Sequence, residues 1–212
     1  MANLILDCSC GMNVYLVAQG KLFSRVNSKQ NKHSDEILLV IDELLNEAKI
    51  SINNISNICV CVGPGSFTGV RVAISLAKGL AIGAKAKVFT LTNFDIFDLP
   101  NNLDACFVLE GFSNFVYVRF FDDKGIKDEC VDLNQLKDLL KEHNREVFVS
   151  TEKMKRVLDD NSIASKIVDC NIVDAFEKTI ESGQSVNLNQ IFPVYLRASQ
   201  AEIEREKKIR NV

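Results

Sequence analysis

Apolar and polar positions along this chain predict a strand-rich beginning. Asn3–Asp7 is a short apolar run that ends in an acid, and Met12–Ala18 and Leu22–Val26 follow it after tight connections. Apolar runs of this length, bounded by glycine-containing turns, are typical of β-strands. We therefore expect a sheet that begins with an antiparallel meander.

Residues 33–49 show the clearest helical periodicity. Ser34 is a suitable N-cap, and the acids after it favour the positive end of the helix dipole. The apolar stripe at positions 37, 41, 44 and 48 is extended sideways by residues 38 and 45, which is wider than a helix lying on one sheet needs. Two interpretations are open: a deeply buried helix, or a helix covered by its own sheet on one side and by a partner on the other.

A Gly-rich loop, residues 63–69, connects a predicted strand, Ile58–Val62, to a second helix over 68–84. A strand followed by a glycine-rich loop and the start of a helix is typical of an anion-binding site, because the backbone N–H groups of the loop and the positive end of the helix dipole point toward the anion. The loop is not GxGxxG and lacks the lysine of a P-loop, so a tight turn that needs glycine is equally consistent. The candidate nucleotide or phosphate site consists of Asp7, Gly63, Gly65, Ser66, Thr68, Gly69 and Arg71. For Arg71, an intramolecular contact that ties the loop is the alternative.

The second helix carries two stripes of small residues at a spacing of four. They are Ala73, Ala77 and Ala81, and Ser75, Gly79 and Gly83. Glycine inside a helix costs about 1 kcal/mol relative to alanine, so we expect close approach of another element to offset it. Both helices are predicted to pair with the same two helices of a partner in a four-helix bundle. The predicted interface residues are Ile37, Leu38, Ile41, Leu45, Ala73, Ala77, Gly79 and Ala81.

Pro100-Asn101-Asn102 is predicted to separate two subdomains, residues 1–100 and 101–212. The elements expected after the first helix pair are a strand at Lys87–Thr90, strands at Ala105–Glu110, Phe115–Phe121 and Glu146–Ser150, helices at Leu133–Glu142 and Ile172–Glu181, an extended segment at Pro193–Arg197 and a charged tail at Glu202–Arg210. No internal repeat is visible in the sequence.

Composition excludes several classes of protein. The 212 residues are 47% hydrophobic, which is too apolar for a disordered chain. With 25 Lys+Arg against 28 Asp+Glu, a strongly basic surface that coats nucleic acid is not expected. No run approaches the length of a membrane-spanning helix, and the N-terminal residues do not resemble a signal peptide. We expect no membrane association and a cytoplasmic location.

The seven cysteines form no CxxC pair, and their odd number argues against a disulfide framework. This use of cysteine agrees with a reducing, cytosolic compartment. Two C-x-C pairs are present, Cys8/Cys10 and Cys59/Cys61. Small buried side chains on core strands are the expected explanation, and a four-thiol metal site is the alternative.

Four segments resemble the bacterial TsaB (YeaZ) family: ILDCSCGMNVYLV, HSDEILLVIDELL, CVCVGPGSFTGVRVAISLAKGLA and PVYLR. The resemblance covers roughly residues 3–95 and is weak afterwards until Pro193–Arg197. It implies an α/β protein with the actin-like ATPase (ASKHA, ribonuclease H-like) fold in two subdomains. It further implies a non-catalytic paralogue of TsaD in the machinery that makes N6-threonylcarbamoyladenosine at position 37 of tRNA. Such a subunit binds TsaD, helps to recruit the ATPase TsaE, forms homodimers through the same surface and contacts tRNA mainly through the complex.

The residues present favour a non-catalytic role. His33 and His143 are the only histidines, so the H-x-x-x-H metal pair of TsaD-like enzymes is absent. After Gly125 only Gly183 remains to form the second phosphate loop and the adenosine loop that an actin-like ATPase needs. We expect no catalytic residues, no metal and no cofactor on the chain alone, with ATP or ADP at the complex interface left open. The alternative function is a peptidase-like, glycoprotease-related enzyme acting on a sister protein.

Overall fold

The computed structural model describes residues 1–27, 33–97, 105–122, 125–142 and 145–197, and side chains at 33–35, 122 and 142 are not described. The proposed cap Ser34, the imidazoles of His33 and His143, the boundary at Pro100 and the charged tail therefore lie outside what is described. Two compact units are present. The first comprises Met1–Phe97 and Asn171–Val194, and the second comprises the described residues within 98–170 and 195–212. Residues 101–212 are expected from the sequence to form one subdomain, whereas Asn171–Val194 packs with the first unit.

The first unit contains a five-stranded sheet with two helices between its strands. Its elements in chain order are β1 (Ala2–Asp7), β2 (Met12–Ala18), β3 (Lys21–Asn27), α1 (His33–Glu47), β4 (Ile55–Cys61), α2 (Phe67–Ala84) and β5 (Lys87–Leu91). The strand order is β3-β2-β1-β4-β5. The meander β1-β2-β3 is antiparallel, as predicted, and β1, β4 and β5 are parallel.

Alternation along the central strands builds a core on each face of this sheet. Leu4 and Leu6 of β1 pack in the cluster that also contains the buried faces of α1 and α2, whereas Ile5 packs with Phe89 and Phe176 on the opposite face. Long apolar runs are typical of strands covered on both sides. The opposite face is covered by a helix from the second half of the chain, which is why Asn171–Val194 belongs to this unit.

The second unit repeats the strand arrangement of the first. Its elements are β6 (Ala105–Glu110), β7 (Phe115–Asp122), β8 (Gly125–Asp132), α3 (Leu133–Glu142), β9 (Glu146–Val149), α4 (Glu152–Asp160) and β10 (Lys166–Ile167). The strand order of the second sheet is β10-β9-β6-β7-β8. It matches the first sheet's order in the reverse direction, β5-β4-β1-β2-β3, when β6 to β10 are taken as the equivalents of β1 to β5. Strands β8 and β10 and helix α4 are absent from the sequence prediction. Thr151 caps α4 by accepting a hydrogen bond from the Met154 amide at 3.1 Å, and Met154 and Leu158 are buried.

The returning segment begins with α5 (Ile172–Glu181), as predicted, and continues as a C-terminal strap that we define as Val186–Val194. Phe176 of α5 is fully buried and meets the Phe89 ring edge-on at 5.9 Å. The strap is tied to the sheet by Val186 N–H to the Val88 carbonyl and Val194 N–H to the Val62 carbonyl, each at 2.8 Å. It therefore runs beside the Gly-rich loop that follows β4.

Among the described helices, α2 alone is long and apolar enough to meet a membrane-span criterion by length and composition. About a third of its residues are buried within the first unit, including Ala73, Ala77 and Ala81. Core helices of soluble proteins pass the same criterion. Packing within the first unit thus explains the apolar residues on the buried side of α2, whereas Ile82 on the other side is exposed.

Candidate functional site

Asp7 lies at the carboxyl end of β1, the position where open parallel sheets place their ligands. Its side chain is only 7% exposed. Oδ1 accepts hydrogen bonds from the Ser9 amide at 2.9 Å and the Ser9 hydroxyl at 2.6 Å, and Oδ2 accepts one from the Asn13 side-chain amide at 3.2 Å. Both carboxylate oxygens therefore have partners within the β1–β2 connection.

The Gly-rich loop contacts this connection backbone to backbone. Ser66 N–H donates to the Ser9 carbonyl at 2.7 Å. A Cβ on Gly65 would lie 2.5 Å from the Ser9 carbonyl oxygen, and a Cβ on Gly69 only 2.1 Å from that of Cys8. Side chains at these two positions have no room, so the glycines are required by contacts inside the chain.

On its other side the loop meets the C-terminal strap. Gly63 has φ +103°, a conformation that favours glycine, and a Cβ there would lie 3.1 Å from the Val194 carbonyl oxygen. The peptide bond between Gly63 and Pro64 is cis. The Gly-rich loop and Val194, which are far apart in the sequence, are thus neighbours in the first unit.

Helix α2 begins with an internally satisfied cap. The Ser66 hydroxyl accepts the Gly69 amide at 3.2 Å, and the Ser66 carbonyl accepts the Val70 amide at 2.9 Å. Thr68 is exposed on the first turn, and the Arg71 guanidinium lies 3.9 Å from the centre of the Phe67 ring. The structure brings the seven candidate residues to one end of the sheet. The amides of Ser66 and Gly69 are engaged by groups of the chain itself.

Asn93 forms hydrogen bonds to several segments at this end of the sheet, and it was not predicted from the sequence. It is 5% exposed, its backbone amide donates to the Gly63 carbonyl at 2.9 Å, and its side-chain amide donates to the Pro64 carbonyl at 2.5 Å. Its Oδ1 accepts from the Cys61 thiol at 3.1 Å and lies 3.1 Å from the Ser9 hydroxyl. Its place two residues after a parallel strand is the signal that could have found it.

The cysteines divide into buried and accessible groups. Cys8 is buried and Cys10 is exposed, so this C-x-C pair does not present two thiols together, whereas Cys59 and Cys61 are both buried on β4. Burial, followed in size by the charge of Asp7, raises the pKa of Cys8 to about 12 and raises the pKa of Cys61 strongly. Within the described part of the chain, no three His, Cys, Asp or Glu side chains are grouped to hold a metal ion.

The differences in burial predict that a thiol reagent at about pH 8 modifies the cysteines in order of their exposure, because only accessible thiolates react. We expect rapid modification of the exposed Cys10 and Cys170, slower modification of the half-buried Cys130, and modification of the four buried thiols only after denaturation. A raised pKa in the folded state also lowers the free energy of unfolding as pH rises from about 8.5 toward 12, since the unfolded thiols ionise first. Absorbance of a released chromophore counts the thiols, and rapid reaction of all seven would contradict the packing.

The predicted helix interface is corrected by the structure. Six of its eight residues are at most 7% exposed and pack in the core of the first unit: Ile37, Ile41, Leu45, Ala73, Ala77 and Ala81. These six residues form the apolar stripe of each helix, and each helix packs that stripe against the sheet of its own unit. Of the predicted set, Leu38 and Gly79 remain on the surface.

The exposed faces of α1 and α2 are nonetheless apolar. Leu38, Leu39 and Ile82 are 54%, 64% and 70% exposed. A Cβ added at Gly79 or Gly83 would meet nothing within 4 Å, so no contact within the described chain requires these two glycines. An α-helix that carries two such glycines loses about 2 kcal/mol relative to alanine. We call the exposed residues Leu38, Leu39, Ser75, Gly79, Ile82 and Gly83 the helix-pair surface.

Two units with the same strand order, the first carrying a glycine loop at the carboxyl ends of β1 and β4, define an α/β protein with the actin-like fold. The family model of TsaD, described as tRNA N6-adenosine threonylcarbamoyltransferase, matches residues 25–119. YeaZ from Pseudomonas aeruginosa has the same fold, with a TM-score of 0.67, 19% identity, and 92% of this chain and 99% of that chain covered.

Several curated relatives are TsaB proteins. The chain is 27% identical over 165 residues to the tRNA threonylcarbamoyladenosine biosynthesis protein TsaB of Haemophilus influenzae, covering 75% of this chain and 69% of that protein. It is 28% identical over 99 residues to TsaB of Buchnera aphidicola subsp. Schizaphis graminum, covering 45% of this chain and 47% of that protein. The chain is similar to proteins of the TsaB (YeaZ) family, and the fold and the resemblance expected from the sequence are confirmed.

Proposed function

We propose that this chain is a non-catalytic subunit of the machinery that makes N6-threonylcarbamoyladenosine in tRNA. The similarity to proteins named for that biosynthesis supports the pathway. The match of residues 25–119 to the transferase family supports descent from, and resemblance to, the catalytic subunit. The chain's own part is to bind a TsaD-type transferase, to help recruit the ATPase TsaE and to form homodimers, in the cytoplasm and with tRNA contacted mainly through the complex.

The helix-pair surface is the observation that carries the scaffold role. Three exposed large apolar side chains, Leu38, Leu39 and Ile82, lie on two helices whose other faces are already buried. The exposed glycines at 79 and 83 leave room for another backbone to approach α2, and such approach would offset their cost in helix stability. Exposed apolar area of this kind is typical of a protein–protein contact.

The organisation of the Gly-rich loop supports a non-catalytic role. The Asp7 carboxylate already accepts hydrogen bonds from Ser9 and Asn13. The close approach of Gly65 and Gly69 to the β1–β2 connection explains why glycine is needed at both positions, and no ligand has to be invoked. In an actin-like ATPase the equivalent groups have to face phosphate. We propose that this chain hydrolyses no ATP alone, and that ATP or ADP in the assembly is held chiefly by partner residues.

The test is to mix the purified chain with the TsaD-type transferase of the same organism and to measure mass by size exclusion with light scattering. We expect a one-to-one heterodimer that forms at the expense of the homodimer. Adding the TsaE-type ATPase should then give a ternary assembly and restore threonylcarbamoylation of a tRNA transcript that the transferase alone modifies poorly. Absence of a heterodimer at micromolar concentration would overturn the proposal, and cleavage of the transferase would favour the peptidase alternative.

A further inference from the structure

A long stretch of the first unit contains no acidic residue. Residues 48–94 include no Asp or Glu, although the chain has 28 of them, and they carry five basic residues. The segment 182–194, which contains the C-terminal strap, has no charged residue at all. The total of 25 Lys+Arg against 28 Asp+Glu therefore conceals a region of positive charge. Because salt screens exposed charges beyond about 10 Å, this local charge decides what the surface attracts.

Three of the basic residues share one side of α2. Arg71 and Lys78 are seven residues apart, and Lys85 follows after another seven as the C-cap of the helix. Seven residues are close to two helical turns, so the three side chains form a row about 21 Å long. Arg71 and Lys85 are exposed, and Lys78 is half-buried. We call these three residues the basic row.

The acidic helix α1 lies on the other side of α2 from the strap. Helix α1 packs on β2 and β3, α2 packs mainly on β4, and the strap is hydrogen-bonded to β5 at Val88. The strand order β3-β2-β1-β4-β5 thus places α2 between α1 and the strap. The basic row borders the strap, since the Lys78 ammonium is 5.8 Å from the centre of the Phe192 ring. Two glutamates of α1 are already paired with Arg25 of β3.

The strap adds an exposed aromatic ring and neutral polar groups beside this row. Phe192 is 67% exposed, whereas Ile191 before it is 2% exposed and the Val194 amide after it is hydrogen-bonded at 2.8 Å. Its backbone is therefore held, and covering the ring costs little conformational entropy. Asn189 and Gln190, which precede it in the strap, are exposed amides.

A row of cations with an aromatic ring and neutral amides beside it fits the sugar–phosphate backbone of RNA. Lys and Arg neutralise phosphates, and amide groups hydrogen-bond to phosphate and 2′-hydroxyl oxygens. An exposed aromatic ring stacks on an unpaired base. A cluster of carboxylates on an acidic protein would pair with the same cations, but it would leave the Phe192 ring uncovered.

We propose that the basic row and Phe192 form an RNA-binding surface of this chain, with the row on phosphates and Phe192 stacked on an unpaired base. The kind of RNA, a tRNA, rests on the proposed function, in which tRNA is contacted mainly through the complex, and the chain's own contact is added to it. Consecutive helical residues point about 100° apart, so Lys78 lies on a different side of α2 from Gly79 of the helix-pair surface. A protein partner on the helix pair and an RNA on the basic row therefore bind side by side.

The first test measures how salt weakens the binding of a tRNA transcript to the full chain. For three phosphate contacts, the logarithm of the association constant should fall with the logarithm of salt concentration with a slope of about −2 to −3. The double variant Lys78→Gln, Lys85→Gln should weaken binding about tenfold or more at low salt and make the slope shallower by about 1.5, because two phosphate contacts are lost. Fluorescence anisotropy of a labelled transcript between about 50 and 200 mM salt gives both quantities.

The matched control removes the same charge from the second unit. Lys153→Gln with Lys166→Gln replaces two exposed lysines that each pair with a glutamate, and it should leave the slope unchanged. Both double variants should keep the wild-type melting temperature, since none of the four side chains is in a core. Equal effects of the two double variants would overturn the proposal, as would a wild-type chain that binds no tRNA at about 100 μM and about 50 mM salt.

The second test separates stacking from charge. Phe192→Ala should weaken tRNA binding about tenfold and leave the salt slope unchanged, because stacking on a base releases no counterions. Phe112→Ala is the matched control, because Phe112 is 74% exposed and lies in the second unit. Equal affinities of the two variants for tRNA would overturn the role of Phe192.

Two further measurements distinguish this proposal from its competitors. Polyglutamate at the same concentration of negative charge should displace little tRNA, and complete displacement would show that the surface selects carboxylates and would overturn the proposal. The Lys78→Gln, Lys85→Gln chain should still form the heterodimer with the transferase in light scattering. A wild-type chain that forms the heterodimer and binds no tRNA contradicts this inference alone, whereas tRNA binding without a heterodimer contradicts the proposed function alone.

Discussion

Gly69→Ala is expected to destabilise the first unit strongly. The new Cβ would lie 2.1 Å from the Cys8 carbonyl oxygen, and the atom it meets is backbone rather than a movable side chain. Relief requires α2 to move away from the β1–β2 connection, which breaks the Ser66–Ser9 hydrogen bond and disturbs the buried carboxylate of Asp7. We expect a loss of at least about 3 kcal/mol, a large part of the free energy of unfolding of an ordinary domain.

Gly79→Ala provides the matched control, because it makes the same substitution in the same helix. No atom lies within 4 Å of the Cβ position at Gly79, so the change should raise the free energy of unfolding by about 1 kcal/mol. Urea denaturation followed by circular dichroism measures both variants. A Gly69→Ala protein as stable as wild type would show that the loop does not pack against the β1–β2 connection as described.

Ala77→Glu is expected to destabilise the fold strongly, whereas Leu38→Glu is expected to leave the fold intact and weaken assembly. Ala77 is fully buried in the core of the first unit, so a glutamate there places an unpaired charge among apolar side chains and should cost roughly 4 kcal/mol or more. Leu38 is 54% exposed, and its replacement should change stability by no more than about 0.5 kcal/mol. Leu38→Glu should instead weaken both the homodimer and the transferase complex, because the charge must be desolvated when a partner covers α1.

Thermal unfolding and light scattering on the same samples separate the two effects. Leu22→Glu is a suitable control for Leu38→Glu, since Leu22 is 55% exposed and lies on β3 rather than on the helix pair. A folded Ala77→Glu protein would contradict the burial of the Ala73, Ala77, Ala81 stripe. If Leu38→Glu forms the homodimer and the transferase complex as the wild type does, α1 is not part of the proposed interface.

Local patterns predicted most of the regular elements. The ends of Leu133–Glu142 and Ile172–Glu181 agree with the observed helices, and the two long helices of the first unit differ by at most two residues at either end. Apolar periodicity and turn residues act over a few neighbouring positions, so they are readable in a single sequence. Helix α4 was not predicted because only two of its nine residues, Met154 and Leu158, are buried, and two residues do not form a recognisable apolar stripe.

The assignment of faces and partners was less predictable. Both small-residue stripes of α2 fit close packing equally well as sequence, yet the alanine stripe faces the sheet and the glycine stripe faces outward. Periodicity identifies which residues share a face, but it does not say which face meets the sheet. Asn93 was missed for a related reason, because its four tertiary partners, Ser9, Cys61, Gly63 and Pro64, are about 30 or more residues away in sequence.

The sequence by itself determined most of the elements, the antiparallel start of the first sheet and the family resemblance, because these depend on local patterns and on short specific motifs such as GPGSFTGVR. Only the tertiary structure decided that the second unit repeats the first strand order, that Asn171–Val194 returns to the first unit, and that the Gly-rich loop is held between the Cys8–Ser9 backbone and Val194. These features arise from contacts between residues far apart in the chain, where backbone shape and the burial of apolar area select the pairing. Such pairings leave no periodic trace in either segment alone.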